Sequence, residues 1–392
     1  MIRTKSVIVP CIAALASCWV TGAEAADKVK IGFVATLSGT NSVIGIHARD
    51  AFNLAIEHSG GKLGGLPVEV LLEDDQQKPD VARQIADKFV EFDKVDVVVG
   101  PVISSALLAA SERVTSNKTV MIGPNAGPSP LAGDKCSEYY FSTSWQGDNL
   151  AEAMGSVLQN KGVKKLYVMA PNFLSGRDVI NGIKRYYKGT IVGEVYTPLN
   201  QLDFAAELAQ LRAAKPDAVF AFYPSGLAIQ FVKQFVQSGM KEQFPLYMSY
   251  SVDNMNLPAI GDAALGITVT DNWSHIGGNE ENRKFVADFM RKYKYAPSAT
   301  AAQAYDAGRL LDSAIGKVNG KIEDKKAFLA AIKAADFHSV RGNFKFNTNH
   351  FPIQDLFAGT VVKGAGGEPV IELGDAVMKE HRDVYAAKCP LK

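Results

Sequence analysis

The sequence of 392 residues has no excess of charge of either sign. Lysine and arginine together number 42 against 41 aspartates and glutamates, which gives a formal net charge of +1. Proteins that bind nucleic acid or an anionic membrane through their surface carry a clear basic excess. We therefore expect neither of these partners.

Motifs of catalysis and of cofactor binding are also missing. The chain has no G-x-S-x-G nucleophile elbow, no Walker loop and no H-E-x-x-H zinc motif. Its GGKLGG segment lacks the spacing of a dinucleotide-binding loop. The histidines are scattered, with no pair at the spacing of metal ligands. We predict a protein that is not an enzyme and that uses no cofactor and no metal.

A long run of residues without charge lies at the beginning of the chain. Two basic residues precede this run, which is shorter than the roughly 20 residues that a membrane-spanning helix needs. Ala23 and Ala25 then occupy the small positions of an A-x-A cleavage site. We predict a cleavable signal peptide over residues 1–25 and export to the periplasm. Lipidation of Cys18 is the alternative.

Cysteine is scarce, with four residues in the whole chain. Cys11 and Cys18 leave with the predicted signal peptide, so Cys136 and Cys389 remain. An even pair in an oxidising compartment favours a disulfide, which would tie the end of the chain to its middle. Two free buried thiols are the alternative.

The sequence does contain two successive runs of alternating strands and helices. The first extends from the apolar VKIGFVAT segment to Ile122, and the second begins at Leu166. Alternation of this kind indicates βαβ units around a parallel sheet. Because the chain is too long for one hydrophobic core, we predict an α/β fold of two doubly wound, Rossmann-like lobes.

Ligands of such sheets bind outside the carboxyl ends of the strands. Ser104 and Ser105 begin a predicted helix whose free backbone amides and hydroxyls suit a carboxylate or phosphate, and N-capping by Ser104 is an equally good explanation. Asn125, Ala126 and Gly127 follow the next strand. Aromatic residues at other strand ends predict a cleft that encloses a flat or apolar body: Trp145, Phe173, Tyr223 and Tyr250.

Several segments, in this order, carry a resemblance to a known family: IGFVATLSG, VLLEDDQQKPDVA, GPVISS, GPNAGPSPL, FSTSWQGD and KPDAVFAF. The chain resembles the branched-chain amino-acid (Leu/Ile/Val) binding proteins of ABC importers, which have the type I periplasmic binding fold. The resemblance covers essentially the whole chain after the signal peptide. It implies a monomer whose two lobes, joined by three crossing strands, close on a small ligand by a hinge motion and deliver it to membrane permease subunits.

The resemblance also implies lobe boundaries. We expect residues 26–144 and 274–348 to form the first lobe, and residues 145–273 and 349–380 to form the second. Residues 381–392 would be a tail that is tied to the first lobe.

In the family, a serine of the GPxxS segment and a threonine in the next loop hold the ligand carboxylate. Ser104 or Ser105 matches the serine, whereas Gly127 stands where the threonine is expected. An acidic residue usually holds the ligand ammonium, but this chain has Tyr250 at that position and no carboxylate before Asp253. Phe173 and Tyr223 match two positions of aromatic contacts.

An ammonium group without a partner in a closed cleft would cost several kcal/mol. A carboxylate with an aromatic or apolar body and no amine therefore fits these residues better than an amino acid. The segments PNFLSGRD and GEVYTPL resemble those of binding proteins for benzoate-type and phenylpropanoid acids. The alternatives are a receptor for branched-chain or other amino acids, in which Asp253 reaches the ammonium, and a ligand-sensing receptor domain.

Overall fold

The computed structural model describes residues 1–2 and 27–391. The predicted signal peptide, with Cys18 and the cleavage site at Ala25, lies outside the described residues except for its first two. Within the described part, no helix has both the length and the apolar character needed to cross a membrane.

The first sheet has six strands in the order β2-β3-β1-β4-β5-β6, and all of its pairings are parallel except that of the short β2 with β3. Every residue of β4 and β5 is buried, because helices cover both faces of the sheet. The strands are β1 (Val29–Ala35), β2 (Lys62–Leu63), β3 (Leu66–Asp74), β4 (Val97–Val99), β5 (Val120–Gly123) and β6 (Tyr140–Ser142).

The helices that cover this sheet come from two distant parts of the chain. The buried Phe285 and Phe289 of a late helix belong to the same core cluster as Phe33 of β1, so the late helices return to the first lobe. The helices are α1 (Ser42–His58), α2 (Pro79–Lys88, continued by a π-helical turn at Phe89–Asp93), α3 (Ser104–Ser116), α4 (Ser129–Ala132), α10 (Glu280–Tyr293), α11 (Ala299–Lys317) and α12 (Lys325–Ala334).

The second sheet runs in the order β12-β13-β11-β10-β9-β7-β8, and β14 pairs with β13. Strands β7 to β11 are parallel, whereas β13 is antiparallel to β11. The strands are β7 (Lys165–Pro171), β8 (Thr190–Thr197), β9 (Ala218–Ala221), β10 (Leu246–Ser249), β11 (Thr268–Asp271), β12 (Lys345–Phe346), β13 (Pro352–Lys363) and β14 (Pro369–His381). The helices are α5 (Asn149–Asn160), α6 (Leu174–Tyr186), α7 (Ala205–Ala214), α8 (Ser225–Gln237) and α9 (Leu257–Ile260, followed by a 3₁₀ turn at Gly261–Ala264).

The chain passes between the two lobes three times, after β6, after β11 and at the short β12, which pairs with β13 of the second sheet while its Phe346 packs against the first-lobe core. Two of these crossings lie side by side, because Asp271 at the end of β11 pairs with Phe357 of β13. The architecture is therefore the predicted one: two α/β lobes with parallel sheets, joined by three crossing segments.

The end of the chain contacts both lobes. A disulfide joins Cys136, just beyond α4, to Cys389, whose Cα atom lies 5.7 Å away. On the other side, the Tyr385 hydroxyl donates to the Asp148 carboxylate at 2.8 Å, and Arg185 of α6 lies 2.8 Å from the same carboxylate. The disulfide thus links the tail to the first lobe, and the tail also contacts the second.

Replacement of both bridging cysteines, Cys136→Ser with Cys389→Ser, should lower the free energy of unfolding by about 2–5 kcal/mol, because the disulfide closes a long loop in the unfolded chain. Chemical denaturation of the variant and of the unsubstituted protein measures the difference. The unsubstituted protein in reductant is the control and should match the variant. Superimposable curves with and without reductant would contradict a stabilising role.

Candidate functional site

The carboxyl ends of the two sheets enclose a cleft of about 890 Å³, part of which is open to solvent. Residues from both lobes and from the crossing segments line it. Eight of the residues singled out in the sequence are among them: Ser104, Asn125, Ala126, Gly127, Trp145, Phe173, Tyr250 and Asp253.

Four long helices begin at this cleft. Their first turns contribute Ser104 of α3, Ser175 of α6, Ser225 of α8 and Thr300 of α11 to the lining. A helix N-terminus has unpaired backbone N–H groups and a partial positive charge, so each of these turns favours a negative group. Among the described residues that line the cleft there is no lysine, arginine or histidine. An anion here would be held by backbone amides and hydroxyls.

Two hydrogen bonds donated by serine hydroxyls connect the lobes near the cleft. The Ser175 hydroxyl donates to Ser104 Oγ at 2.7 Å, and the Ser129 hydroxyl of α4 donates to Asp178 of α6 at 2.7 Å. Ser104 is the first residue of α3 and makes no capping bond, so its hydroxyl serves the cleft and not the helix end. Ser105, by contrast, does not line the cleft.

Asn125 fixes the positions of two of the helix starts. Its side-chain amide donates to the carbonyl of Val102 at 2.7 Å, and its Oδ1 accepts from the Thr300 hydroxyl at 2.7 Å. Gly127 approaches the next crossing closely, since a Cβ atom there would lie 1.9 Å from the Trp145 carbonyl oxygen. The position where the resemblance leads one to expect a threonine therefore has no room for a side chain in this protein.

A continuous aromatic surface forms the second-lobe wall of the cleft. The Trp145 and Tyr250 rings meet edge to face at 4.8 Å, and Phe222 lies 6.0 Å from Tyr250 on its other side. Phe173 stacks on Phe222 at 6.2 Å. The Tyr250 hydroxyl accepts a hydrogen bond of 2.8 Å from the Leu150 amide, which holds the ring in place at the start of α5.

Tyr223 does not line the cleft, in contrast to its predicted role as a ligand contact. Its side chain is 1% exposed and packs in the second-lobe core against Phe204 and Phe231, at 4.9 and 4.8 Å. The residue before it, Phe222, faces the cleft instead. Successive residues of an extended segment point to opposite faces, so the prediction was displaced by one position.

Two carboxyl groups, those of Asp253 and Asp271, lie in the wall near the crossing segments. Each accepts hydrogen bonds from backbone amides of its own loop: Asp253 Oδ1 from Met255 at 2.9 Å, and Asp271 Oδ1 from Asn272 at 2.7 Å. The pKa of each group is raised to about 7, mainly by burial, and the neighbouring charge of Asp253 contributes to the rise at Asp271. Neither carboxylate forms an ion pair with any described residue.

Several residues that line the cleft were not predicted from the sequence. Asp271 directly follows a predicted strand, so the strand-end rule extended to that loop would have found it. Thr300 comes from a late helix that returns to the first lobe, and no local pattern reveals its place. Phe222 and Thr270 also line the cleft and were not singled out, whereas Asn41, Gln77, Ser175 and Ser225 lie in strand-end loops where a ligand was expected.

Comparison with known proteins now decides the family. The sequence profile of periplasmic binding proteins matches residues 28–367. The chain belongs to this family. It is 27% identical over 353 residues to the Leu/Ile/Val-binding protein homolog 6 of Brucella melitensis biotype 1, a match that covers 87% of this chain and 90% of the relative.

Two solved structures of solute-binding proteins of ABC transporters are similar over nearly their whole length. One, from R. palustris in complex with benzoate, has a TM-score of 0.88 and 28% identity, covering 93% of this chain and 100% of the other. The second, from Rhodopseudomonas palustris BisB5 in complex with 3,4-dihydroxybenzoic acid, has a TM-score of 0.84 and 29% identity, covering 91% and 99%.

Gly226 of α8 lies against the Thr40 loop of the first lobe. A Cβ atom at Gly226 would lie 2.8 Å from Thr40 Cγ2 and 2.9 Å from its carbonyl oxygen. The Gly226→Val variant should therefore bind its solute about tenfold or more weakly, because overpacking hinders closure. Titration calorimetry measures the affinity. Gly374→Val, where a Cβ atom makes only ordinary contact at 3.5 Å, is the control and should bind normally.

The raised pKa values of Asp253 and Asp271 predict a pH dependence of stability. Between about pH 4 and pH 7 these groups ionise in the unfolded chain but stay protonated in the folded protein, so their contribution to stability falls as the pH rises. The double variant Asp253→Asn, Asp271→Asn should gain about 2 kcal/mol or more in the free energy of unfolding from pH 4 to pH 8, relative to the unsubstituted protein.

Denaturant unfolding at pH 4, 6 and 8 measures this gain. Asp375→Asn, which replaces an exposed carboxylate of β14, is the matched control and should show no gain with pH. Parallel stability curves for the double variant and the unsubstituted protein would show that the folded state does not hold these protons.

Proposed function

We propose that this periplasmic binding protein is the exported substrate-binding component of an ABC importer and captures an aromatic carboxylate between its lobes. The observation that carries the proposal is the combination of four helix N-termini, no basic side chain among the described lining residues, and a continuous aromatic wall. The similarity to a benzoate-bound protein of R. palustris supports it.

The ligand carboxylate would meet the first turns of α3 and α11, where Ser104 and Thr300 supply hydroxyls beside the free amides. The ring would pack against the wall that Trp145, Tyr250 and Phe222 form. Such a site would distinguish ligands by the shape of the ring and by hydrogen bonds from backbone amides and hydroxyls. It would form no salt bridge with the ligand carboxylate. Capture needs no chemical change in the ligand.

Closure would complete the binding step. The Ser104–Ser175 hydrogen bond and the Thr40–Gly226 contact both join groups from opposite lobes. A ligand that touches both lobes stabilises the closed state by its differential affinity for that state. The closed, monomeric protein would then dock on membrane permease subunits in the periplasm, to which the predicted signal peptide would direct it.

A branched-chain amino acid is the second candidate ligand. Asp253 and Asp271 offer two carboxylates in the cleft wall, one more than the sequence analysis considered, and either suits an ammonium group. The relative in Brucella melitensis biotype 1 is named a Leu/Ile/Val-binding protein homolog. The aromatic wall favours the aromatic acid, because an aliphatic side chain would leave much of that wall without a matching flat surface.

A thermal-shift screen of benzoate, cinnamate, leucine, isoleucine and valine tests the proposal. A ligand that binds only the folded protein raises the melting temperature by mass action, and we expect this from the aromatic acids. Ser104→Ala should weaken their binding about tenfold, because a hydrogen bond to a charged group is lost. Ser105→Ala is the control, since Ser105 lies outside the cleft wall. Stabilisation by the amino acids alone would favour the second candidate.

A further inference from the structure

A second, smaller cavity of about 270 Å³ adjoins the binding cleft. The two share Asp253, Asp271 and Ala299, so the carboxyl pair lies on the boundary between them. Ser104 and Ser175 do not line the second cavity. The cleft therefore has two distinct polar regions: the serine pair with its helix starts, and the carboxyl pair with the cavity behind it.

The carboxyl pair has unused capacity for hydrogen bonds. Its protein partners among the described residues are backbone amides, and each ionised carboxylate offers about four acceptor positions. Both side chains are half-buried in the cleft wall. A carboxylate that is partly removed from water without a cation or a side-chain donor is costly, and a protein keeps such groups in a binding site where a ligand completes them.

The polar groups around the pair are already engaged with other partners. The His275 ring, in the second cavity, pairs through Nδ1 with the Asn254 side-chain amide at 2.9 Å, and burial lowers the pKa of His275, which disfavours its charged form. The Tyr250 hydroxyl accepts from the Leu150 amide. None of the described groups next to Asp253 and Asp271 thus neutralises the charge of these carboxylates.

We propose that Asp253 and Asp271 form a subsite for a ring hydroxyl, so that the ligand is a phenolic acid and not an unsubstituted benzoate. This inference rests on the proposed function, since it assumes an aromatic carboxylate whose charged end lies at the helix starts. The phenol would donate its O–H to one carboxylate and, where the pair holds a proton, accept from the other.

Other groups at this end of the ligand fit less well. An apolar substituent would cover the carboxylates without completing their hydrogen bonds, and a second carboxylate would be repelled by them. An ammonium has three donors and no acceptor, so it cannot use a proton held by the pair. A hydroxyl both donates and accepts, and its bond to an ionised acceptor is stronger than one between neutral groups.

Titration calorimetry at pH 7.5 with four ligands tests the inference: benzoate, 4-hydroxybenzoate, 4-methoxybenzoate and 4-(aminomethyl)benzoate. We expect 4-hydroxybenzoate to bind about tenfold more tightly than benzoate and 4-methoxybenzoate, which have no donor at that end. In the double variant Asp253→Asn, Asp271→Asn this preference should shrink to about threefold or less, because both acceptors lose their charge. Benzoate itself should bind the variant at least as tightly, since a repulsion is removed.

The outcomes separate this inference from the proposed function. If benzoate binds but 4-hydroxybenzoate has no advantage, or if the variant keeps the advantage, the hydroxyl subsite is wrong and the proposed function stands. Tightest binding of 4-(aminomethyl)benzoate would overturn the inference in favour of an ammonium subsite. If none of the four ligands binds, the proposed function fails and the inference fails with it. Asp375→Asn, on the exposed face of β14, is the matched control for all four titrations.

Discussion

The site depends on one geometric constraint, which is that parallel strands can be joined only by crossover segments. Most parallel strands of a lobe are followed by a helix that returns to the other end of the sheet, so these helices begin along the same edge. In this protein two such edges face each other, and α3, α6 and α8 all begin at the cleft between them. The backbone itself thus gives the cleft a preference for negative charge.

This constraint explains how a cleft with no basic side chain among its described lining residues could hold the proposed carboxylate. The carboxyl groups of the cleft lie away from these helix starts. Asp253 follows β10 and Asp271 ends β11, next to the crossing segments, where backbone amides of the same loops donate to them. Tyr250 occupies the place where the resemblance leads one to expect an acidic residue, and the Leu150 amide binds its hydroxyl. The polar groups of the cleft are therefore divided between its two regions.

The fold followed from the sequence wherever the pattern was local. The alternation of strands and helices was predicted from the sequence, because one apolar face determines a helix such as Glu280–Tyr293. Helix α5 gives a weaker local signal, because Gly155 lies in its middle. A Cβ atom there would lie 2.7 Å from the Ile183 carbonyl oxygen, so the glycine permits α5 and α6 to pack closely at a cost in helix propensity. That cause lies in tertiary packing, which a local pattern does not contain.

The site was predictable only in part for the same reason. Ser104 and Asn125 follow strands of the first lobe and could be identified locally, whereas Thr300 reaches Asn125 only after the chain has crossed to the second lobe and returned. Asp271 lies on a crossing itself, paired with Phe357 of the neighbouring crossing. A ligand that contacts Asp271 would therefore touch a segment that joins the lobes, about which the proposed closure would turn. Recognition at the carboxyl pair and closure of the cleft would then act on one element, so a ligand that fails to satisfy Asp271 would lose affinity and closure together.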